Sequence, residues 1–315
     1  MEVKEFVCSD ETTIRYRYWP VEHSNVQAVV HIFHGMAEHS GRYDQFATYL
    51  NSLGFAVYAQ DHRGHGLSAD ETSLGFFAPR KGWKRVMEDG YELSLFIAQE
   101  HPQCNLFLFG HSMGSFLVRS LIPLRHGLYT AAILSGTGGS QKAIGAAGKL
   151  LAGIRSFFLG KRHKDGLLDK LSFGSFNAPF APNRTPFDWL SRDEALVDAY
   201  IADPLCGFIC SSQFFVDLLN GIKMANNKRL AKKIPNKLAL LLISGANDPV
   251  GKFGKGVQEV LRLYQKAGLE DVSMNLLKGA RHEVLNETNR EEVFVSIGQW
   301  LVAHNKKNKT RQTVK

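Results

Sequence analysis

Ser112 stands between two glycines in the stretch GHSMG, Gly110 to Gly114, with the apolar run NLFLF before it and a helix-like pattern after it. A strand that turns sharply into a helix lifts one hydroxyl clear of the sheet edge, and only glycine leaves room for the neighbouring strand and helix. A serine hydroxyl is a poor nucleophile at neutral pH, so it needs a base, and the base needs an acid to orient it. Two later stretches supply them. KLALLLISGANDPV puts Asp248 in a loop just past a buried apolar run, and VSMNLLKGARHEV puts His282 in the same place after the next run. Each has a plainer reading: Ser112 as a helix N-cap, Asp248 as a turn residue before Pro249, His282 as a surface loop histidine. Together, in this order and at these strand ends, they make a candidate nucleophile, acid and base.

Attack on a carbonyl creates an oxyanion that needs two N–H donors. The N–H of Met113, directly after the nucleophile, is one. The other is expected from the loop HGMAEHSGRY, where Gly35 permits a close turn and leaves the N–H of Met36 as partner.

These groups have to be carried by a scaffold, and the chain shows one. KEFVCSDETTIRYRYWPV reads as two β segments about the turn SDET. After it, the β-rich runs AVVHIF, FAVYAQ, NLFLF, AAILS, KLALLLIS and VSMNLL alternate with helical patterns at YDQFATYLNSLG, Trp83 to Gln99, Met113 to Leu124, GKGVQEVLRLYQKAG and EEVFVSIGQWLVAH. Continuous apolar strands alternating with helices predict an α/β fold: a mostly parallel, eight-stranded sheet with helices on both faces. Ligands of such sheets bind beyond the carboxyl ends of the strands, which is where each motif falls. Between Thr137 and Asn236 no β-run occurs, and segments such as LLAGIRSFFLG and SSQFFVDLLNGI look helical. The expected division is therefore a core of 1–136 and 237–305, a helical cap of 137–236, and a flexible basic tail of 306–315.

The chain has 315 residues, 44% hydrophobic and 22% charged, as in a globular protein with a sizeable core. Its formal charge of +8, from 38 basic and 30 acidic residues, gathers in GKRHKD, KRLAKK and the tail NKKNKTRQTVK. That pattern permits weak peripheral contact with acidic membrane surfaces and is not read as a nucleic-acid surface. Four irregularly spaced cysteines read as buried free thiols, no apolar leader opens the chain, and no run reaches the roughly 20 apolar residues of a membrane span. A cytoplasmic setting, peripheral to membranes at most, is expected; oligomeric state is not legible.

HGMAEHSGRY, YAQDHRGHGLS, GHSMGS, SGANDPV and GARHEVLNE together resemble the lysophospholipase and monoacylglycerol-lipase branch of the α/β-hydrolases, also called serine aminopeptidase-like hydrolases. The likeness runs from about Thr13 to Ala303. It implies an α/β-hydrolase fold with a helical cap over an acyl tunnel, a lipid-like ester substrate, and no cofactor or metal. It assigns Ser112 as nucleophile, Asp248 as acid, His282 as base, and Met36 and Met113 as oxyanion donors. In monoacylglycerol lipases the glutamate and arginine after HG help bind glycerol; the resemblance places them at Glu38 and Arg42, which could equally be a structural pair holding the loop. Leu285 departs from the mammalian lipase, which has a second histidine there, so monoacylglycerol itself is the less secure part.

DHRGHGLS is expected to be scaffold, with Arg63 paired internally. His34 and His39 lack the carboxylate or cysteine companions of a metal site. GAAGKL lacks the first glycine and the hydroxyl residue of a phosphate loop, and GKFGKG fails the dinucleotide spacing. Phe157, Phe158, Phe214, Phe215, Leu218 and Leu219 are tunnel candidates or, more plainly, helix-packing core. Three rival functions stand beside the lipase: a short- or medium-chain carboxylesterase or thioesterase, an aminopeptidase, and a non-enzymatic binding member of the fold.

Overall fold

The computed structural model describes residues 1–21 and 26–312, with the side chains of 306–312 outside that description. Eight strands form one open sheet in the order β1-β2-β4-β3-β5-β6-β7-β8. β1 (Glu2–Val7) and β2 (Thr13–Trp19) are an antiparallel hairpin, and β2 pairs antiparallel with β4. From there β4 (Phe55–Gln60), β3 (Ala28–Phe33), β5 (Asn105–His111), β6 (Ala131–Ser135), β7 (Ala239–Gly245) and β8 (Val272–Leu277) run parallel.

The inner strands are buried on both faces, and their residues alternate between two cores. Leu106 and Leu108 of β5 face one core, with α2 (Gly82–Glu100) and α3 (Met113–Arg125). Phe107 and Phe109 face the other, with α1 (Asp44–Ser52). This period of two is what converts unbroken apolar runs into a sheet covered on both sides. Between β6 and β7 come α4 (Lys142–Leu159), α5 (Gly166–Phe173), α6 (Glu194–Ala202), α7 (Ser212–Ala225) and the single turn α8 (Lys228–Ala231). α9 (Lys255–Ala267) joins the core of α2 and α3, and α10 (Arg290–Gln312) joins that of α1.

Three details depart from the sequence expectation. The final helix continues to Gln312, past the His304 end that the apolar pattern marks, into the segment expected to be a flexible tail; residues 313–315 lie outside the described chain. β8 is half-buried along its whole length, as an edge strand. Most consequentially, α7 is not a loose part of a cap. Its Phe214, Phe215 and Leu218 share the core of α2 and α3, and a Cβ on Gly221 would lie 2.1 Å from the Trp83 ring. These phenylalanines are packing core, as their plainer reading had it. Phe157 and Phe158 are 81% and 76% exposed, so they line no tunnel.

Candidate active site

Ser112 sits at the joint of β5 and α3 with φ 49° and ψ −117°, a conformation an L-residue rarely adopts. The two glycines hold it there. A Cβ on Gly110 would lie 2.6 Å from the carbonyl oxygen of Gly114, and one on Gly114 only 2.0 Å from that of Phe33 on the adjacent strand. The Ser112 amide donates across the sheet to Ser135 (2.9 Å), while its hydroxyl makes no capping hydrogen bond to α3. The N-cap alternative is thereby removed. A hydroxyl held in a strained kink and not used for capping is free for other work.

His282 and Asp248 meet from the ends of β8 and β7. His282 Nδ1 lies 3.0 Å from Asp248 Oδ1, and both side chains are buried. The Asp248 carboxylate also accepts from Val250 N–H (2.8 Å) and the Ser244 hydroxyl (3.0 Å). An ionised carboxylate only accepts, so Nδ1 carries the proton and Nε2 keeps its lone pair. Burial opposes charge on His282, but Asp248, with help from Glu283 and Glu38, outweighs it and holds the imidazole above its ordinary pKa. Burial likewise opposes the Asp248 charge, and His282 with the surrounding donors holds it below the usual carboxylate range. The paired shifts agree: each partner favours the ionised form of the other.

The ring of His282 is wedged between His111 (centroids 4.8 Å apart) and Trp189 (5.1 Å). Burial and the neighbouring His282 push His111 down to about 4, so it stays neutral beside His282. Trp189 belongs to the segment between β6 and β7, which therefore reaches His282 directly. Sequence reasoning missed both residues: the motif leaves the position of His111 open, and nothing in the spacing of Trp189 marks it.

Met113 is the first residue of α3, so its N–H is among those a helix leaves without an internal acceptor. Met36 follows Gly35 in a turn whose next residue, Ala37, has φ 51°. The Ala37 carbonyl is held by Tyr200 Oη–H (3.0 Å) and Gly207 N–H (2.9 Å). The loop is further fixed by Glu38, which is 3% exposed and accepts from Gly35 N–H (2.5 Å), Tyr43 Oη–H (2.9 Å) and Arg42 (2.8 Å). Arg42 also forms a fork with both oxygens of Glu283, each at 2.6 Å. Burial works against the Glu283 charge, yet Arg42 holds its carboxyl down at about 2. Glu38 and Arg42 are thus engaged within the protein, which favours the bracing alternative over contact with a substrate's polar end. Glu283 joins the loop that carries His282 to the loop that carries Met36, across 241 residues of sequence that hid the pairing.

DHRGHGLS is scaffold, as expected. Asp61 accepts from the Ser40 amide and hydroxyl, Leu67 N–H and Arg17; Arg63 pairs with Asp89 and Asp10. His34 is locked between Gly35 O and His62 N–H, which uses both ring nitrogens. His39, Asp203 and Cys206 cluster closely enough to hold a metal ion. However, His39 Nδ1 accepts from Gly41 N–H, so Nε2 carries the proton and donates to Asp203 (2.8 Å). No nitrogen lone pair is left for a metal. All four cysteines are free thiols.

The serine aminopeptidase S33 family model matches residues 24–289. The chain belongs to this family. Among its relatives, the monoacylglycerol lipase of Mycolicibacterium smegmatis is 29% identical over 300 residues, covering 92% of this chain and 93% of that protein. The human monoglyceride lipase is 26% identical, covering 95% and 90%. A thermostable carboxyl esterase from Bacillus coagulans, solved with glycerol, superposes with a TM-score of 0.89 at 25% identity, covering 97% and 99%. This family member thus has the α/β-hydrolase architecture that the sequence predicts.

Proposed function

We propose that the protein is a serine hydrolase that cleaves carboxylic esters of lipids, monoacylglycerol or lysophospholipid, through an acyl-serine intermediate. The observation that carries this is Ser112: an uncapped hydroxyl on an enforced kink, at the strand ends that also present the buried His282–Asp248 pair. In this mechanism His282 Nε2 removes the Ser112 proton as the hydroxyl attacks the ester carbonyl. The Met36 and Met113 amides hold the oxyanion, and Asp248 fixes the tautomer and stabilises the imidazolium. His282 then protonates the departing alcohol, and water attacks the acyl-serine by the same route. The lipid class is supported by the two relatives named as monoacylglycerol and monoglyceride lipases.

The exposed face of α4 supports a lipid surface as the place of encounter. Ile144, Leu150, Ile154, Phe157 and Phe158 are all exposed there, and the helix carries Lys142, Lys149 and Arg155 but no acidic residue. No helix among the described residues is long and apolar enough to cross a membrane, so this face would rest on the bilayer. A second reading, a carboxylesterase of shorter acyl esters, is favoured by the Bacillus esterase superposition. The test is a hydrolysis panel: p-nitrophenyl esters of two to sixteen carbons, monoacylglycerol, lysophosphatidylcholine and an aminoacyl-nitroanilide. Long-chain esters should lead. Highest activity on the anilide would replace the ester reading by an aminopeptidase. Ser112→Ala should lower kcat by roughly 10⁴ to 10⁶ and abolish fluorophosphonate labelling of the peptide that bears Ser112.

A further inference from the structure

Arg119 of α3 is among the largest fully buried side chains, at 1% exposure, and no carboxylate pairs with it among the described residues. Its N–H groups go to neutral acceptors: Tyr264 Oη, Thr137 Oγ1, the Gly138 and Ala225 carbonyls, and Asn226 Oδ1. Buried charges are ordinarily paired, because neutral dipoles replace lost hydration but supply no opposite charge. Asn226, which Arg119 holds, also lines an open groove of about 320 Å³.

The rim of that groove is basic. Lys142 comes from the start of α4, Lys228 from α8, Lys232 from the residue after it, and Arg262 and Lys266 from α9; Glu259 is the one acidic lining residue. All five cations are exposed, and none is ion-paired among the described residues. Like charges from separate elements repel when brought to one concavity, and a ligand of opposite charge removes the repulsion. Position gives the site a further meaning. Thr137 and Gly138 are where the chain leaves β6 for the helical insertion, and α8 is where it returns. An anion in this groove would touch the outgoing end, the returning end and core helix α9 at once.

We propose that this groove binds a phosphate-type anion, with Arg262, Lys228 and Lys142 as principal contacts, and clips both roots of the insertion to the core. The anion could be a free phosphate compound or the headgroup of an anionic lipid, and the experiment separates the two. Pyrophosphate is titrated calorimetrically into the full chain at constant ionic strength, and compared with a K228E/R262E variant. Both positions are exposed and outside the proposed triad. The native chain should bind saturably with a raised Tm, and the variant should bind at least tenfold more weakly. Ser112→Ala should bind as the native chain does, so the site stands or falls apart from the hydrolase reading. No saturable binding beyond that of chloride overturns the proposal, as does equal affinity in the variant. Vesicles of phosphatidylcholine with and without phosphatidylglycerol then name the source. Displacement of the phosphatidylglycerol vesicles by pyrophosphate marks a lipid headgroup. Vesicle binding indifferent to both pyrophosphate and the variant marks a soluble phosphate.

Discussion

Gly114 shows how little freedom the turn at Ser112 has. A Cβ there would lie 2.0 Å from the Phe33 carbonyl oxygen, a backbone atom of a central strand that cannot yield without breaking sheet pairing. Gly114→Ala should therefore destabilise by more than about 3 kcal/mol, or prevent folding, and a urea titration would register it. Glu283 acts on chemistry instead. In the proposed mechanism His282 must be neutral to act as base, and the Glu283 carboxylate favours its imidazolium. Since the folded pKa of His282 is raised, activity should be lost as pH falls through a value higher than that of an unperturbed histidine. Removing the Glu283 charge destabilises the imidazolium, so Glu283→Gln should move the acidic limb of the kcat/KM profile to lower pH. A limb that stays in place, or moves upward, would refute this role. The same variant loosens the fork to Arg42, which should lower kcat at the pH optimum more than it raises KM.

Among the elements, α4 is the one whose pattern reverses ordinary amphipathicity. Its inward side presents Ala152 and Ser156, while Phe157 and Phe158 point outward. A fully buried phenylalanine gains about 1.5–3 kcal/mol over an exposed one, so removing two from the proposed docking face should weaken vesicle binding by roughly 10² or more. The F157S/F158S double variant should show this in a vesicle sedimentation assay and keep its turnover of p-nitrophenyl acetate in solution. Equal sedimentation of variant and native chain would discard α4 as a docking face. The adjoining elements behave differently. α7 is tied down by Trp83, Phe77 and Arg119, and the stretch carrying Trp189, Tyr200 and Gly207 is stacked onto His282 or hydrogen-bonded to the Ala37 carbonyl.

For the molecule as a whole, that packing decides how many units there are. Chain order divides 315 residues into a core interrupted by an insertion, yet Phe214 and Phe215 lie in the same apolar cluster as Leu106, Leu121 and Val260. Separating the insertion from the sheet would open the core itself. Thermal or urea unfolding should accordingly be one cooperative transition, coincident in far-ultraviolet circular dichroism and tryptophan fluorescence. Two separated transitions would show that the insertion unfolds apart from the sheet.

Order and type of the elements were legible in the sequence because they depend on local pattern: continuous β-rich runs, three-to-four spacing in helices, glycines where backbones crowd. The same locality exposed Ser112, whose turn is defined by residues within two positions of it, and placed Asp248 and His282 at the ends of their strands. What was not local was not legible. The fork of Arg42 to Glu283, Trp189 against His282, the neutral acceptors around buried Arg119, and the outward turn of Phe157 each depend on segments brought together from far along the chain. Composition names the residue types available for such contacts. Only closure of the sheet and seating of the insertion decide which of them meet, because contact energies act over a few ångströms of space whatever the distance in sequence.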